Sequence, residues 1–167
     1  MPQEPSLIIL EDTRETKPLN FSRFKHVDYT QSQCLPVGDY ACVINGGSLS
    51  NVYFERKSKG DLWGTMTSGY KRFKVEYNKS IELGIKLVLI IEAPIEDIAS
   101  GFTYNSGNGI YKPSKVAGSS MCKKLETLRV KHGLEVVYCN GQKGMRRYIY
   151  ERWLAEARLG LKNEHKG

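Results

Sequence analysis

Two largely apolar segments, the continuous run in Lys86–Glu92 (KLVLIIE) and Leu134–Cys139 (LEVVYC), do most to limit what this chain can fold into. A strand covered on one face alternates apolar and polar residues. A continuous run of aliphatic residues fits a strand buried on both faces. Each run follows a segment with helical spacing that a glycine closes. The first segment is capped by Asp61, runs through Leu62, Met66, Tyr70, Phe73, Tyr77 and Ile81, and stops at Gly84. The second covers Ser114–His132 and stops at Gly133. A last helix is predicted over Gln142–Leu159, with Met145, Ile149, Trp153 and Leu154 on its apolar side. Helix–strand–helix–strand–helix order calls for a sheet with helices packed against it.

The front half reads as strands. Ser6–Glu11 (SLIILE) is a short buried strand, Asp12–Asn20 a polar loop, and Phe21–His26 a short helix. Val27–Leu35 alternates loosely as a second strand. Asp39–Ile44 is a third strand, turning through Asn45-Gly46-Gly47-Ser48 towards a fourth at Asn51–Lys57. Further on, Pro94–Ser100 is predicted as a short helix and Gly101–Pro113 as an exposed loop. The expected class is α/β, a mixed central sheet flanked by helices, with an antiparallel front half.

With 167 residues, no repeat and no linker-like stretch, a single domain over 1–167 is expected. Hydrophobic residues at 40% supply a core and charged residues at 26% an ordinary surface, which excludes a disordered or collagen-like chain. The longest apolar stretch, around Leu87–Ile91, is far short of the roughly 20 residues of a spanning helix. No signal-peptide pattern opens the sequence, so an intracellular location is expected, in the cytoplasm or with the nucleoid or nucleus. Cys34, Cys42, Cys122 and Cys139 have no CxxC spacing and are expected to be reduced. Lys and Arg number 25 against 18 Asp and Glu, and this net +7 suits a polyanionic partner such as nucleic acid.

Acidic residues collect at strand ends: Asp12 after the first strand, Asp39 at the start of the third, Glu55 near the end of the fourth. Glu55 and Lys57 are two apart, so in a strand they leave on one face. If Asp39 meets them across the hairpin, the trio has what a metal-dependent phosphodiesterase needs. Hard Mg²⁺ takes one or two carboxylates plus substrate phosphate, it activates water, and an ammonium beside it stabilises negative charge. A solvated hairpin with surface ion pairs has the same spacing. Against that bland reading, Val52-Tyr53-Phe54 is apolar and places the charged triplet at the mouth of the core.

The segments Gly38-Asp39-Tyr40 and Glu55-Arg56-Lys57-Ser58-Lys59-Gly60-Asp61 resemble the GD…ERKxxxD signature of the XPF/Hef-type structure-specific endonucleases. Asp12-Thr13-Arg14-Glu15 resembles the DxRE after that family's first strand, and Ser68–Glu76 its helix carrying GR…Q. The likeness runs from Leu7 to about Arg158. It implies a restriction-endonuclease-like core that cuts branched, flapped or junction DNA, in repair or recombination, with Mg²⁺ or in its place Mn²⁺. Carried over, Asp39 and Glu55 are metal ligands, Lys57 the catalytic lysine, and Asp12 a further acid at the metal. Arg14, Glu15, Arg56 and Asp61 match other charged positions of the active-site motifs, and the Arg56 carbonyl is a possible further ligand. The chain departs from the pattern in its longer hairpin (fourteen residues, 41–54, between Tyr40 and Glu55), in a spread Gly69-Tyr70-Lys71-Arg72, and in Glu76 where the family has Gln. No tandem helix-hairpin-helix module is expected. Two further readings share these residues: a phage or restriction-like nuclease acting on other DNA, and a non-catalytic DNA-binding or partner module of the same fold.

Candidate phosphate contacts are Lys71, Arg72 and Lys74 on one predicted helix, Lys112 and Lys115 by the Gly/Tyr-rich loop, and Arg146 and Arg147 in the last helix. Tyr104 and Tyr111 are candidates for stacking on unpaired bases. The expected partners are DNA and either a second copy or an accessory DNA-binding protein. For a dimer the suspected face is that of Trp153 and Leu154. His26, His132 and His165 are scattered and not expected to be ligands. No membrane partner is expected.

Overall fold

The computed structural model describes residues 3–167. Its main sheet has the order β2-β1-β3-β5-β6-β9, and the short β4 adds to β3. The strands are β1 (Leu7–Asp12), β2 (Val27–Gln33), β3 (Tyr40–Ile44), β4 (Ser48–Leu49), β5 (Val52–Lys57), β6 (Lys86–Ile91) and β9 (Glu135–Tyr138). A separate ribbon pairs β7 (Thr103–Asn105) with β8 (Tyr111–Pro113). The helices are α1 (Lys59–Met66), α2 (Tyr70–Glu82), α3 (Ile95–Ala99), α4 (Gly118–His132) and α5 (Gly141–Glu164). β5, β6 and β9 run parallel, joined by crossovers through helices, and β3 lies antiparallel to both β1 and β5. This is the mixed sheet flanked by helices that the sequence predicts.

The two faces of β6 show why its sequence is continuously apolar. Val88 and Ile90 face one core with Phe54, Met145, Ile149, Trp153 and Leu154. Leu89 and Ile91 face the other, with Leu62, Trp63, Met66, Phe73, Met121 and Leu125. One face is closed by α5 and the other by α1, α2 and α4. A third, smaller cluster joins Leu10, Ala41, Tyr53 and Leu87 to Leu35 and Val37 of the loop before β3.

Several expectations are corrected. β2 runs parallel to β1, not antiparallel, and it is an exposed edge strand. The stretch predicted as a helix at Phe21–His26 forms turns, and Phe21 itself is buried against Tyr40. Asp61 is not the helix cap. Ser58 caps α1 by accepting the Asp61 amide at 3.2 Å, and its hydroxyl donates to the Asp61 carboxylate at 2.7 Å. The long helix predicted from Asp61 breaks at Thr67–Gly69 into α1 and α2. The Gly/Tyr-rich stretch carries the β7–β8 ribbon. β9 is half-buried, since it lies at the sheet edge. Trp153 is fully buried and donates its indole N–H to the Val52 carbonyl at 3.1 Å, so the face of α5 suspected for a dimer is occupied by the chain's own sheet. Trp63 is likewise core, bonded to the Val116 carbonyl. All four cysteines are free thiols, as expected.

Candidate active site

Register brings the acids together. Tyr40 of β3 pairs with Phe54 of β5, which sets Asp39 opposite Glu55. The Asp39 amide donates to the Phe54 carbonyl at 2.8 Å, and the Arg56 amide donates to the Asp39 carboxylate at 2.8 Å. Gly38 makes this entry possible with φ of +72°, a conformation that favours glycine, and a Cβ there would lie 3.1 Å from the Phe54 carbonyl oxygen. Glu55 and Lys57 leave β5 on the same face, and the Lys57 ammonium lies 2.7 Å from Glu55 Oε1. Asp39, Glu55 and Lys57 line one cleft of about 400 Å³ with Arg14, Arg72, Glu76 and the Gly64–Gly69 turn. A second cleft shares Arg14, Asp39 and Lys57 and continues over Glu15, Arg56, Asp61, Glu92 and Gln142. The two form one groove across the ends of β3 and β5.

Burial dominates the electrostatics. It pushes the Asp39 carboxyl up to about 6 and the Glu55 carboxyl up to about 7, and the Asp39 charge adds to the rise at Glu55. Burial disfavours the Lys57 ammonium, but Glu55 and Asp39 outweigh it, so its pKa is raised and it stays charged. Among the described residues, no three His, Cys, Asp or Glu side chains converge closely enough to hold an ion by themselves. The acids that meet here are a pair, with Glu76 on the cleft wall.

The other expected site residues are distributed unevenly. Asp12 does lie opposite Asp39 across β1 and β3, and its amide donates to the Asp39 carbonyl. Its carboxylate, expected as a further acid at the metal, is engaged by four donors. One oxygen accepts the Arg14 amide at 2.9 Å and Arg14 Nε at 2.7 Å; the other accepts Arg14 Nη2 at 3.1 Å and the Leu35 amide at 2.9 Å. Asp12 therefore holds Arg14 at the groove wall. Arg56 lines the second cleft, with its guanidinium donating to the Lys17 carbonyl and to Glu92, 3.9 Å from Glu15. Arg56 thereby ties the loop at Lys17 and Glu15 to Glu92 after β6. Asp61 ends at the groove rim, occupied by Ser58.

Of the basic candidates, Arg72 lines the cleft, while Lys71 and Lys74 flank it on α2 and are exposed. Arg147 is tied to Glu151 at 3.3 Å and lies over the Phe24 ring. Arg146 follows Gln142, which lines the second cleft, one turn along α5. Lys112 and Lys115 are exposed on and after the β7–β8 ribbon. Glu76, noted in the sequence only as a departure from the family pattern, and Glu92, not singled out there, both reach the groove. Glu76 accepts the Gly38 amide at 3.2 Å, and its four-residue spacing from Arg72 was the available signal. Glu92 follows the C-terminal end of β6, the sheet edge where α/β proteins collect functional groups.

A family model for the ERCC4 domain matches residues 12–151. The chain belongs to the ERCC4 domain family. Its fold is that of the XPF-type nuclease domain. The structure of XPF from Aeropyrum pernix matches with a TM-score of 0.60 at 18% identity, over 95% of this chain and 69% of that one. XPF from Aeropyrum pernix in complex with DNA matches with a TM-score of 0.58 at 20% identity, over 93% and 66%. This ERCC4 domain thus spans about two thirds of the length of those structures. No curated protein sequence matches it. Among the described residues of the domain, no helix is long and apolar enough to cross a membrane.

Proposed function

We propose that this ERCC4 domain is a divalent-metal-dependent DNA endonuclease, hydrolysing phosphodiester bonds at branched, flapped or junction sites. The observation that carries the reading is the half-buried Asp39 paired with the buried Glu55, with Lys57 beside them, at the centre of a groove walled by Arg14 and Arg72. Family membership supports nuclease chemistry, and DNA as substrate is supported by the net +7 charge of the chain.

The donor set fits a hard cation. Two carboxylates raised by burial and mutual repulsion are what Mg²⁺ or Mn²⁺ would relieve, with water and phosphate filling the remaining positions. Asp39 and Glu55 would hold the ion, and when bound it would acidify water and neutralise charge at phosphorus. The chain's own groups do the rest. Lys57, held protonated by Glu55, acts as a donor: it orients the attacking water and stabilises the charge that develops on the phosphoryl oxygens. Arg14, aligned by Asp12, and Arg72 hold the flanking phosphates. Glu76 fixes Gly38 and hence the approach of Asp39.

The test is cleavage of labelled fork, flap and linear duplex DNA with Mg²⁺. The wild type is expected to cut the branched substrates, and chelation to stop cutting while DNA binding persists. Glu55→Ala and Lys57→Ala should each lower the rate by about 100-fold or more. Undiminished cutting by either variant would refute its assigned role, and sequence-specific cutting of plain duplex would redirect the substrate assignment.

A further inference from the structure

The β7–β8 ribbon stands outside the main sheet and carries side chains that the proposed site leaves unused. Tyr104 is 42% exposed, Ile110 57% and Tyr111 69%. None of the three is packed into the core.

The ribbon is a rigid support. At its base Phe102 packs on Trp63 of α1 with ring centroids 5.6 Å apart, and the Ser114 amide donates to the Phe102 carbonyl at 2.7 Å. At its tip the Ser106 amide and hydroxyl both donate to the Ile110 carbonyl, and the Gly107 amide donates to Asn105 Oδ1 at 2.9 Å. Gly107, Asn108 and Gly109 all have positive φ, which makes the tip a closed turn. Register sets the chemistry of the two faces. Tyr104 pairs with Lys112 and so shares a face with it; Tyr111 pairs with Asn105 and lies on the opposite face. Each face presents one accessible aromatic ring, and the first adds an ammonium group.

Charge selects the kind of partner. Residues 98–125 contain four lysines and no Asp or Glu. The cleft at the base of the ribbon is lined by Lys59, Phe102, Thr103, Pro113 and Ser114. Lys59 is two residues from Lys57, and Ser58 between them lines the groove of the site. Lys59 at the start of α1 thus stands between the reactive centre and the base of the ribbon. Exposed rings joined to lysines in an acid-free stretch match bases that can stack and phosphates that can pair.

We infer that the β7–β8 ribbon binds unpaired nucleotides beside the duplex, stacking one base on Tyr104 and another on Tyr111. This rests on the nuclease reading for its substrate and adds the part of that substrate the ribbon recognises, a single-stranded arm. The paired bases of an intact duplex offer no free face to these rings.

The experiment measures equilibrium binding by fluorescence anisotropy, without divalent metal, so that its outcome is separate from cleavage. The probes are a forked DNA with unpaired thymidine arms and a blunt duplex of equal length. Tyr104→Ala and Tyr111→Ala are each expected to weaken fork binding about tenfold and leave duplex binding unchanged. Tyr→Phe at either position should retain wild-type affinity, because the ring is what stacks. Unchanged melting temperatures would confirm that the variants fold. Equal weakening on fork and duplex would overturn the inference in favour of general phosphate contact. So would no effect on either probe, or a change in oligomeric state on sedimentation, which would make the ribbon a protein-docking surface. Failure of the wild type to cut any substrate would count against the nuclease reading alone and leave the binding result standing.

Discussion

Asp12 and Asp39 lie opposite each other across β1 and β3, and their surroundings give them different work. Four donors occupy the Asp12 oxygens, and the hydrogen bonds from Arg14 and Leu35 outweigh burial and hold its carboxyl below the usual range. Asp39 has the Arg56 amide and a buried acid as its neighbours, and burial raises it. Asp12→Asn should therefore behave like Arg14→Ala: KM for DNA rises roughly 10- to 100-fold, as expected for a charge-assisted contact worth about 1.5–3 kcal/mol, and kcat changes little. The double variant should be no worse than either single one, which steady-state kinetics would check. The raised acids also carry a pH signature. A carboxyl whose folded pKa lies above its unfolded value contributes stability below the unfolded value and loses it as pH rises through the folded one. The metal-free protein should thus lose stability from this pair between about pH 4 and about pH 7, from the ordinary carboxylate values up to the raised ones near 6 and 7. Divalent-ion uptake should release protons and tighten over the same range, measurable by calorimetry in buffers of different ionisation enthalpy.

At the level of elements, the strands that carry the site were legible and their neighbours less so. The apolar run of β6 and the Glu-x-Lys of β5 are local patterns, and the structure keeps both. The direction of β2 was not legible, because a polar strand such as VDYTQSQ has no buried face to fix its pairing. The break between α1 and α2 was hidden because the apolar spacing continues through Met66, Tyr70 and Phe73 while Gly69 packs against the Gly64 carbonyl, to which its own amide donates. A second close approach places α4. A Cβ on Gly118 would lie 2.2 Å from the Ala99 carbonyl oxygen, so only glycine lets the start of α4 meet the end of α3. Gly118→Ala should cost about 1–3 kcal/mol by overpacking and lower the melting temperature by several degrees. The shift would be seen in a thermal scan, and an unchanged midpoint would show that the two helices separate freely.

Across the whole molecule, two cores on either side of one sheet hold the C-terminal end of β5 between them. Phe54 points into the α5 core beside Trp153, with ring centroids 5.0 Å apart, and Glu55 points the other way into the groove. The pleat of a single strand thus anchors the site and presents it. The trio of Asp39, Glu55 and Lys57 could be read from residue types and spacing. The bond from Leu35 to Asp12, the bond from Gly38 to Glu76 and the pairing of Arg56 with Glu92 depend on tertiary partners that no local pattern specifies. The most direct test is a calorimetric titration of the metal-free protein with Mn²⁺ near pH 7.5, comparing the wild type with Asp39→Asn, Glu55→Gln and Asp12→Asn. Binding should weaken at least tenfold in the first two variants and stay near wild type in the third. Undiminished binding with both Asp39 and Glu55 neutralised, or loss confined to Asp12→Asn, would place the ion elsewhere and contradict the site.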